Sequence, residues 1–189
     1  MSVRELASRY SATQRRTIGA AAALFAKHGV GGTSLQMIAD AVGVAKAAIY
    51  YQFKTKEAIL LAVLEVDLQP VEAALEGAEA AGRSLRAREA LLARVIDGAV
   101  EHRRRVGPML GDPVFVRLLD EYEPSRRLWA RLFSVLLGDE LGVQARVRGA
   151  VLSAAIGGAV SHAFVADVDD ETLRAELLRV TRPLLRPPA

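Results

Sequence analysis

The chain has 189 residues, half of them hydrophobic and a quarter charged, which excludes a disordered polypeptide and leaves room for one sizeable or two small domains. It contains no cysteine, which excludes disulfides, thiol catalysis and thiolate metal sites and suits a reducing cytosol. The net charge of +3 is unevenly spread: residues 1–56 carry eight Lys or Arg against Glu5 and Asp40, an excess of +6, whereas residues 57–189 carry −3.

Alanine, leucine and arginine dominate and aromatics are few, a mixture that favours helices. Residues 1–11 are polar and basic, without an apolar run of signal type, and are expected to form a flexible arm. A first helix is predicted from about Thr13, burying Ile18, Ala22 and Phe25 at i, i+4 and i+7, as far as the glycines after His28. In TSLQ, Thr33 and Gln36 have the spacing of a capping box, which starts a second helix running through Met37, Ile38 and Ala41 to Val42. Gly43 stops it, and a short third helix follows over about residues 45–52. Thr55 reads as the N-cap of a long fourth helix, with Glu57 set against its N-terminal dipole.

Gly82 and Ser84 mark a break before a helix over about Leu85–Arg105. Pro108, Gly111 and Pro113 bracket a loop and a short helix over Val114–Leu119. Pro124 suits the first turn of a helix reaching about Leu137, closed by Gly138 and Gly142. A long helix covers roughly Val143–Val165, and Asp169 or Asp170 caps a final one with Leu173, Leu177, Val180 and Leu184 in one stripe. The predicted fold class is all-α, with about nine helices: an N-terminal three-helix domain over residues 1–55 and a helical bundle over 56–189.

A basic head on a mildly acidic body is the footprint of a polyanion-binding module, although chance clustering of charge gives the same pattern. Within that head, Ala39, Gly43 and Ile49 stand at offsets of four and six. A helix-turn-helix needs a small residue where its helices approach, a glycine in a left-handed turn, and a bulky apolar residue pinning the second helix. Ile38, Val42 and Val44 supply the other buried positions. The stretch TSLQMIADAVGVAKAAIYYQFKTKEAILLAVLE closely resembles the DNA-binding signature of the TetR family. Its matching pieces are Thr33-Ser34, Ile38-Ala39, Gly43-Val44, Ile49-Tyr50, Phe53, Lys56-Glu57 and Leu60. The resemblance covers residues 13–66, and the remainder only through length, helix count and the last two helices.

The resemblance implies a regulator that reads double-stranded DNA with residues 45–52 in the major groove. Lys46, at the N-terminus of that helix, is then the candidate for a base contact, as to guanine O6 or N7. Ala47 and Ala48 allow close backbone approach and contact with thymine methyls. By resemblance Tyr50 contacts phosphate and Tyr51 contacts phosphate or a base edge, with core packing the alternative for Tyr51. Gln52 stands where the family often has histidine, so phosphate or adenine are its expected contacts, whereas Phe53 reads as core. Thr33, Ser34, Lys54 and Lys56 complete the expected phosphate set, with a merely solvated role the alternative for Lys54. Arg4 and Arg9 either follow a groove or belong to a plain tail. Ala45 replaces the Ser or Thr common at the helix start, and Ala47 stands where glycine or proline is frequent. Both departures shift weight onto Lys46.

Residues 149–166 carry no formal charge, yet three glycines, two serines and His162 make them a poor membrane span. Gly149, Ser153, Gly157 and Ser161 recur every four residues, and by resemblance the last two helices pair with a second copy. These four, with Leu173 and Leu177, are the expected dimer interface, ordinary internal packing being the alternative. The family commonly encloses an effector among its middle helices; His102, Met109, Trp129 and Phe133 are candidates, although each by itself reads more readily as core than as a ligand contact. The run Arg103–Arg105 suits an anionic effector or a solvated face. The expectation is a cytoplasmic, homodimeric repressor, nucleoid-associated on a near-palindromic operator and released by a small apolar or amphipathic effector. It has no cofactor, no metal and no membrane partner. The alternatives are a regulator governed by a protein, or by nothing, and an activator. Without HExxH, P-loop, GxSxG or GxGxxG, no enzyme is expected.

Overall fold

The computed structural model describes residues 2–103, 112–138 and 142–186. Among them are ten α-helices and two 3₁₀ turns, with no strand: α1 Val3–Ser8, α2 Ala12–Gly32, α3 Leu35–Val42, α4 Lys46–Gln52, α5 Lys56–Ala80, α6 Leu85–Glu101, α7 Pro113–Glu121, α8 Glu123–Leu137, α9 Val143–Val160 and α10 Asp170–Thr181. The 3₁₀ turns are Ala163–Val165 and Arg182–Leu185.

The chain divides into two compact units, Met1–Gln69 with Arg105–Arg126 and Pro70–Arg104 with Arg127–Ala189. The first is therefore larger than the 1–55 domain read from the sequence. Its boundary inside α5 falls at Pro70, which has no N–H to donate to a helical carbonyl.

In the first unit the expected flexible arm is a helix. Ser2 accepts a hydrogen bond from the Glu5 N–H (3.1 Å), and the Glu5 carboxylate accepts one from the Ser2 N–H (2.9 Å), a complete capping box. Val3 and Ala7 are fully buried, so the segment gains apolar burial as well as a cap. Arg15 donates to the carbonyls of Ala7 and Tyr10, closing the other end of α1. A second capping box, Ser11 with Gln14, starts α2. Ile18, Ala22 and Phe25 are buried as predicted, and helical geometry breaks at Gly29, whose φ of 72° is open to glycine at no steric cost. α2 packs on α3 and α7, and α3 on α4.

The second unit packs α6 against α10 and α9, and α9 against α10. Leu91, Leu92, Ile96, Leu128, Leu132, Leu152 and Ile156 form much of its interior. Two arginines tie its ends together. Arg88 donates to the carbonyls of Leu136, the last residue but one of α8, and of Leu185, the last of the terminal 3₁₀ turn. Arg103 reaches the Val168 carbonyl and the Asp170 carboxylate, each at 2.8 Å. It is a buried strut, which removes it from the run read as an effector site or a solvated face; Arg104 and Arg105 lie outside the described residues.

α9 ends at Val160 rather than Val165, because the His162 ring accepts from the Phe164 N–H (3.2 Å) and caps a separate 3₁₀ turn. Among the described residues no helix is long and apolar enough to cross a membrane.

Candidate nucleic-acid interface

α3, the turn at Gly43 and α4 form the predicted helix-turn-helix. Gly43 is left-handed (φ 77°, ψ 38°), and its N–H reaches the carbonyls of Ala39 and Asp40. Ile38, Ala39 and Ile49 are fully buried where the two helices meet. Arg16 donates to the Val42 carbonyl, adding a charge at the C-terminus of α3. α4 begins at Lys46, and Ala45 offers no side-chain cap, as its type dictates.

The outer surface of α4 carries exposed groups on a packed base. Lys46 and Ala47 are exposed, and Ala48 is half-buried. The Lys46 ammonium lies 5.8 Å from the centre of the Tyr50 ring. Tyr50 is 45% exposed and Tyr51 87%, so core packing is excluded for Tyr51. Phe53 is buried, as its apolar side chain predicts. Ser34 and Lys54 are exposed beside this surface. Gln52 is half-buried, and the buried Thr17 hydroxyl donates to its Oε1 at 2.9 Å. Thr17 was not legible as a site residue: from the sequence it is one more position on the inner stripe of α2.

Two members of the expected phosphate set are used elsewhere. The N-cap of α3 is Ser34, whose hydroxyl accepts from the Met37 N–H, so the capping box expected on Thr33 and Gln36 does not form. Thr33 is buried and donates to the Gly29 carbonyl at 2.8 Å, and the Gln36 amide turns to Asp40. Lys56, half-buried, donates to the carbonyls of Val30 (2.6 Å) and Thr33 (3.1 Å). Its charge serves the carbonyls at the C-terminal end of α2, which attract a cation for the same reason that helix N-termini attract anions.

The same end of α2 is gripped from α7. Asp112 Oδ2 accepts from the Val30 N–H (2.9 Å), while its Oδ1 caps α7 through the N–H groups of Val114 and Phe115. Burial by itself would push this carboxyl up, but those three N–H groups and Lys56 outweigh it and hold the carboxyl below the ordinary aspartate value. A depressed carboxyl stabilises the fold above its unfolded value near pH 4 and loses that contribution as pH falls through its folded value. Asp112→Asn is therefore expected to be less stable than wild type at pH 7, with the gap closing on acidification below pH ~4. Urea unfolding at the two pH values measures it; a gap independent of pH would show that the charge is idle.

A further buried carboxylate lies in this unit. Glu65 of α5 accepts from the Tyr10 hydroxyl at 2.5 Å and, through its other oxygen, from the Tyr122 hydroxyl between α7 and α8. Burial, reinforced by Glu65, pushes both phenols above the ordinary tyrosine range. The residues lie more than fifty positions apart in sequence, so nothing local announced the cluster.

In the second unit, Trp129 and Phe133 stack obliquely with ring centres 6.3 Å apart, and the buried Trp129 indole N–H has no partner among the described residues. His102 Nδ1 lies 2.9 Å from the Gly98 carbonyl. Met109 lies outside the described residues. The expected dimer stripe does not share one face. A Cβ on the buried Gly149 would stand 3.1 Å from Leu137 and 3.4 Å from Phe133, so the missing side chain serves packing inside the unit. Leu173 and Leu177 are each only 4% exposed and are core. Ser153 and Ser161 are exposed, and Gly157 is intermediate. Each four-residue step turns a helix by about 40°, so a stripe that begins buried at Gly149 rotates outward before Ser161. The outward apolar residues of α9 are instead Val143, Val147 and Val151, which are 67%, 57% and 49% exposed.

Residues 18–63 match the model of the bacterial regulatory proteins of the tetR family. The chain is 44% identical over 52 residues to the uncharacterized HTH-type transcriptional regulator YerO of Bacillus subtilis, a stretch covering 28% of this chain and 18% of that protein. Its fold is similar to that of a TetR-like transcriptional regulator from Rhodococcus sp. RHA1 (TM-score 0.70, 17% identity, 91% of this chain and 94% of that one). It is also similar to that of the transcriptional regulator FadR of Bacillus subtilis, solved in complex with stearoyl-CoA (TM-score 0.55, 21% identity, 90% and 96%).

Proposed function

We propose that this chain, a member of the TetR family of bacterial regulatory proteins, is a dimeric repressor that binds a near-palindromic DNA operator and is released by a small effector. The observation that carries the reading is the α4 surface. Lys46, Ala47, Tyr50 and Tyr51 stand exposed on a helix pinned by Ile49 and a left-handed Gly43, inside the segment of +6 charge. That helix enters the major groove with Lys46 leading, while Tyr50, Gln52, Lys54 and Ser34 meet the backbone. The thymine-methyl contact falls to Ala47, with half-buried Ala48 beside it.

The dimer forms through the outer face of α9, Val143, Val147 and Val151, together with Val180 of α10, which is 50% exposed. An open groove lined by Val143, Val147, Pro183 and Leu184, and edged by Gln144, Arg148 and Arg186, continues that face. Exposed apolar side chains of this kind gain by leaving water, and twofold symmetry lets one patch serve both copies. The symmetry then carries over to the operator as two half-sites on one face of the duplex.

For the effector, Trp129, whose buried N–H has no partner among the described residues, and the adjoining Phe133 supply apolar rings with one donor, suited to an amphipathic molecule that enters between them and their neighbours. The fold neighbour bound to stearoyl-CoA supports that chemistry. An effector releases DNA only through its preference for one of two conformations, and tenfold weakening requires a preference of about 1.4 kcal/mol.

The test is selection of duplexes by the purified chain from sheared bacterial DNA and from a random-sequence library. Enrichment of one inverted repeat is expected; the absence of any enriched sequence would end the DNA-reading proposal.

A further inference from the structure

Gln52 ends α4, directly after the exposed Tyr51 and two residues before the exposed Lys54, so it stands on the rim of the candidate DNA surface. Its carboxamide is not free to turn. The Thr17 hydroxyl, fully buried on α2, donates to Gln52 Oε1 at 2.9 Å; its other acceptor within reach, the Thr13 carbonyl, is at 3.3 Å. A hydroxyl has one proton, and the closer oxygen takes it. Gln52 Nε2 bonds to no group of the described residues and is not fully buried, so its N–H groups remain available to a ligand at the surface.

From this geometry we infer that Thr17 is a positioning residue for DNA binding: it holds Gln52 as a donor-only group that grips a backbone phosphate and reads no base. The inference rests on the DNA-binding reading above. A glutamine that reads adenine needs both ends of its amide at the base edge, Oε1 to accept from N6 and Nε2 to donate to N7. Thr17 draws Oε1 inward to α2, which leaves two donors outside, and phosphate oxygens only accept. Affinity therefore depends on a buried hydroxyl that never meets DNA. Because Gln52 is neutral, its contact displaces no counterion, unlike that of a lysine.

The experiment is a double-mutant cycle on the full chain, read as affinity for a duplex selected by the wild-type protein and for a random duplex of the same length. Thr17→Val and Gln52→Ala are each expected to weaken both duplexes by about three- to tenfold per half-site, the range of one hydrogen bond. The double variant binds no worse than Gln52→Ala, and Thr17→Ser restores binding. The salt dependence of Gln52→Ala keeps the wild-type slope. Gln52→Glu, which keeps the acceptor for Thr17 and loses the outward donors, weakens binding at least as much as Gln52→Ala; it tests the idea even where Thr17→Val does not fold. Additive losses in the cycle, or unchanged affinity in Gln52→Ala, overturn the inference. So does a loss in Gln52→Ala that is confined to one base pair of the selected duplex. A wild-type chain that selects no sequence overturns the DNA-binding reading itself, which is a separate outcome.

Discussion

Lys46→Ala is expected to weaken binding to the selected duplex by roughly a hundredfold or more, with little loss on a random duplex and no change in Tm. A good side-chain contact to a base discriminates by about 1–3 kcal/mol, and a twofold complex loses two of them. Lys46 is exposed at the first position of α4 with its ammonium near the Tyr50 ring, so its removal leaves the packed base of the helix intact. Lys56→Ala should behave in the opposite way. Its ammonium holds the Val30 and Thr33 carbonyls at the end of α2, so the variant lowers Tm, and its loss of affinity follows from the loosened α2–α3 junction. Thermal melts and titrations across a salt series separate the two. Equal affinity of wild type and Lys46→Ala for the selected duplex would remove Lys46 from the base-reading role.

Val147→Asp is expected to convert the dimer to a folded monomer in sedimentation equilibrium. On the proposed twofold face this substitution brings a carboxylate from each copy into an apolar surface, where an unpaired charge is strongly disfavoured. Within the protomer Val147 is more than half exposed, so the fold loses little. Leu177→Ala is the contrasting control: Leu177 lies in the interior of the second unit, and its truncation costs about 2–5 kcal/mol of protomer stability. A dimer that survives Val147→Asp would place the interface away from the outer face of α9.

The capping signals show how far local chemistry can be read. Three segments have the spacing of a capping box. SVRE and SATQ form one, yet the flexible-arm reading of residues 1–11 passed over the first. TSLQ does not form one, because Ser34 takes the cap and Thr33 turns back to the Gly29 carbonyl. A spacing names the residues able to cap; the backbone angles at the helix start choose among them. The helix-turn-helix was legible because its determinants lie within twenty residues and each has a local cause: a small residue at the crossing, a glycine at positive φ, and an isoleucine at the seam.

By itself, then, the sequence determined the basic head, the all-helical class, the Gly43 turn and the exposed side chains of α4, all of which follow from composition, period and local backbone preference. Only the tertiary structure decided which polar groups remain outward. It turned Lys56 and Thr33 into ties on α2, made Asp112 the cap of two elements at once, set the Glu65 carboxylate between two tyrosines and fixed the Gln52 amide through Thr17. It also placed Gly149, Leu173 and Leu177 inside the protomer and left the α9 valines facing out. For the polar ties the physical reason is shared: a buried donor or acceptor must find a partner wherever the fold brings one, and for Lys56, Asp112, Glu65 and Gln52 that partner is distant in sequence. The apolar placements follow from which faces the tertiary packing takes out of water.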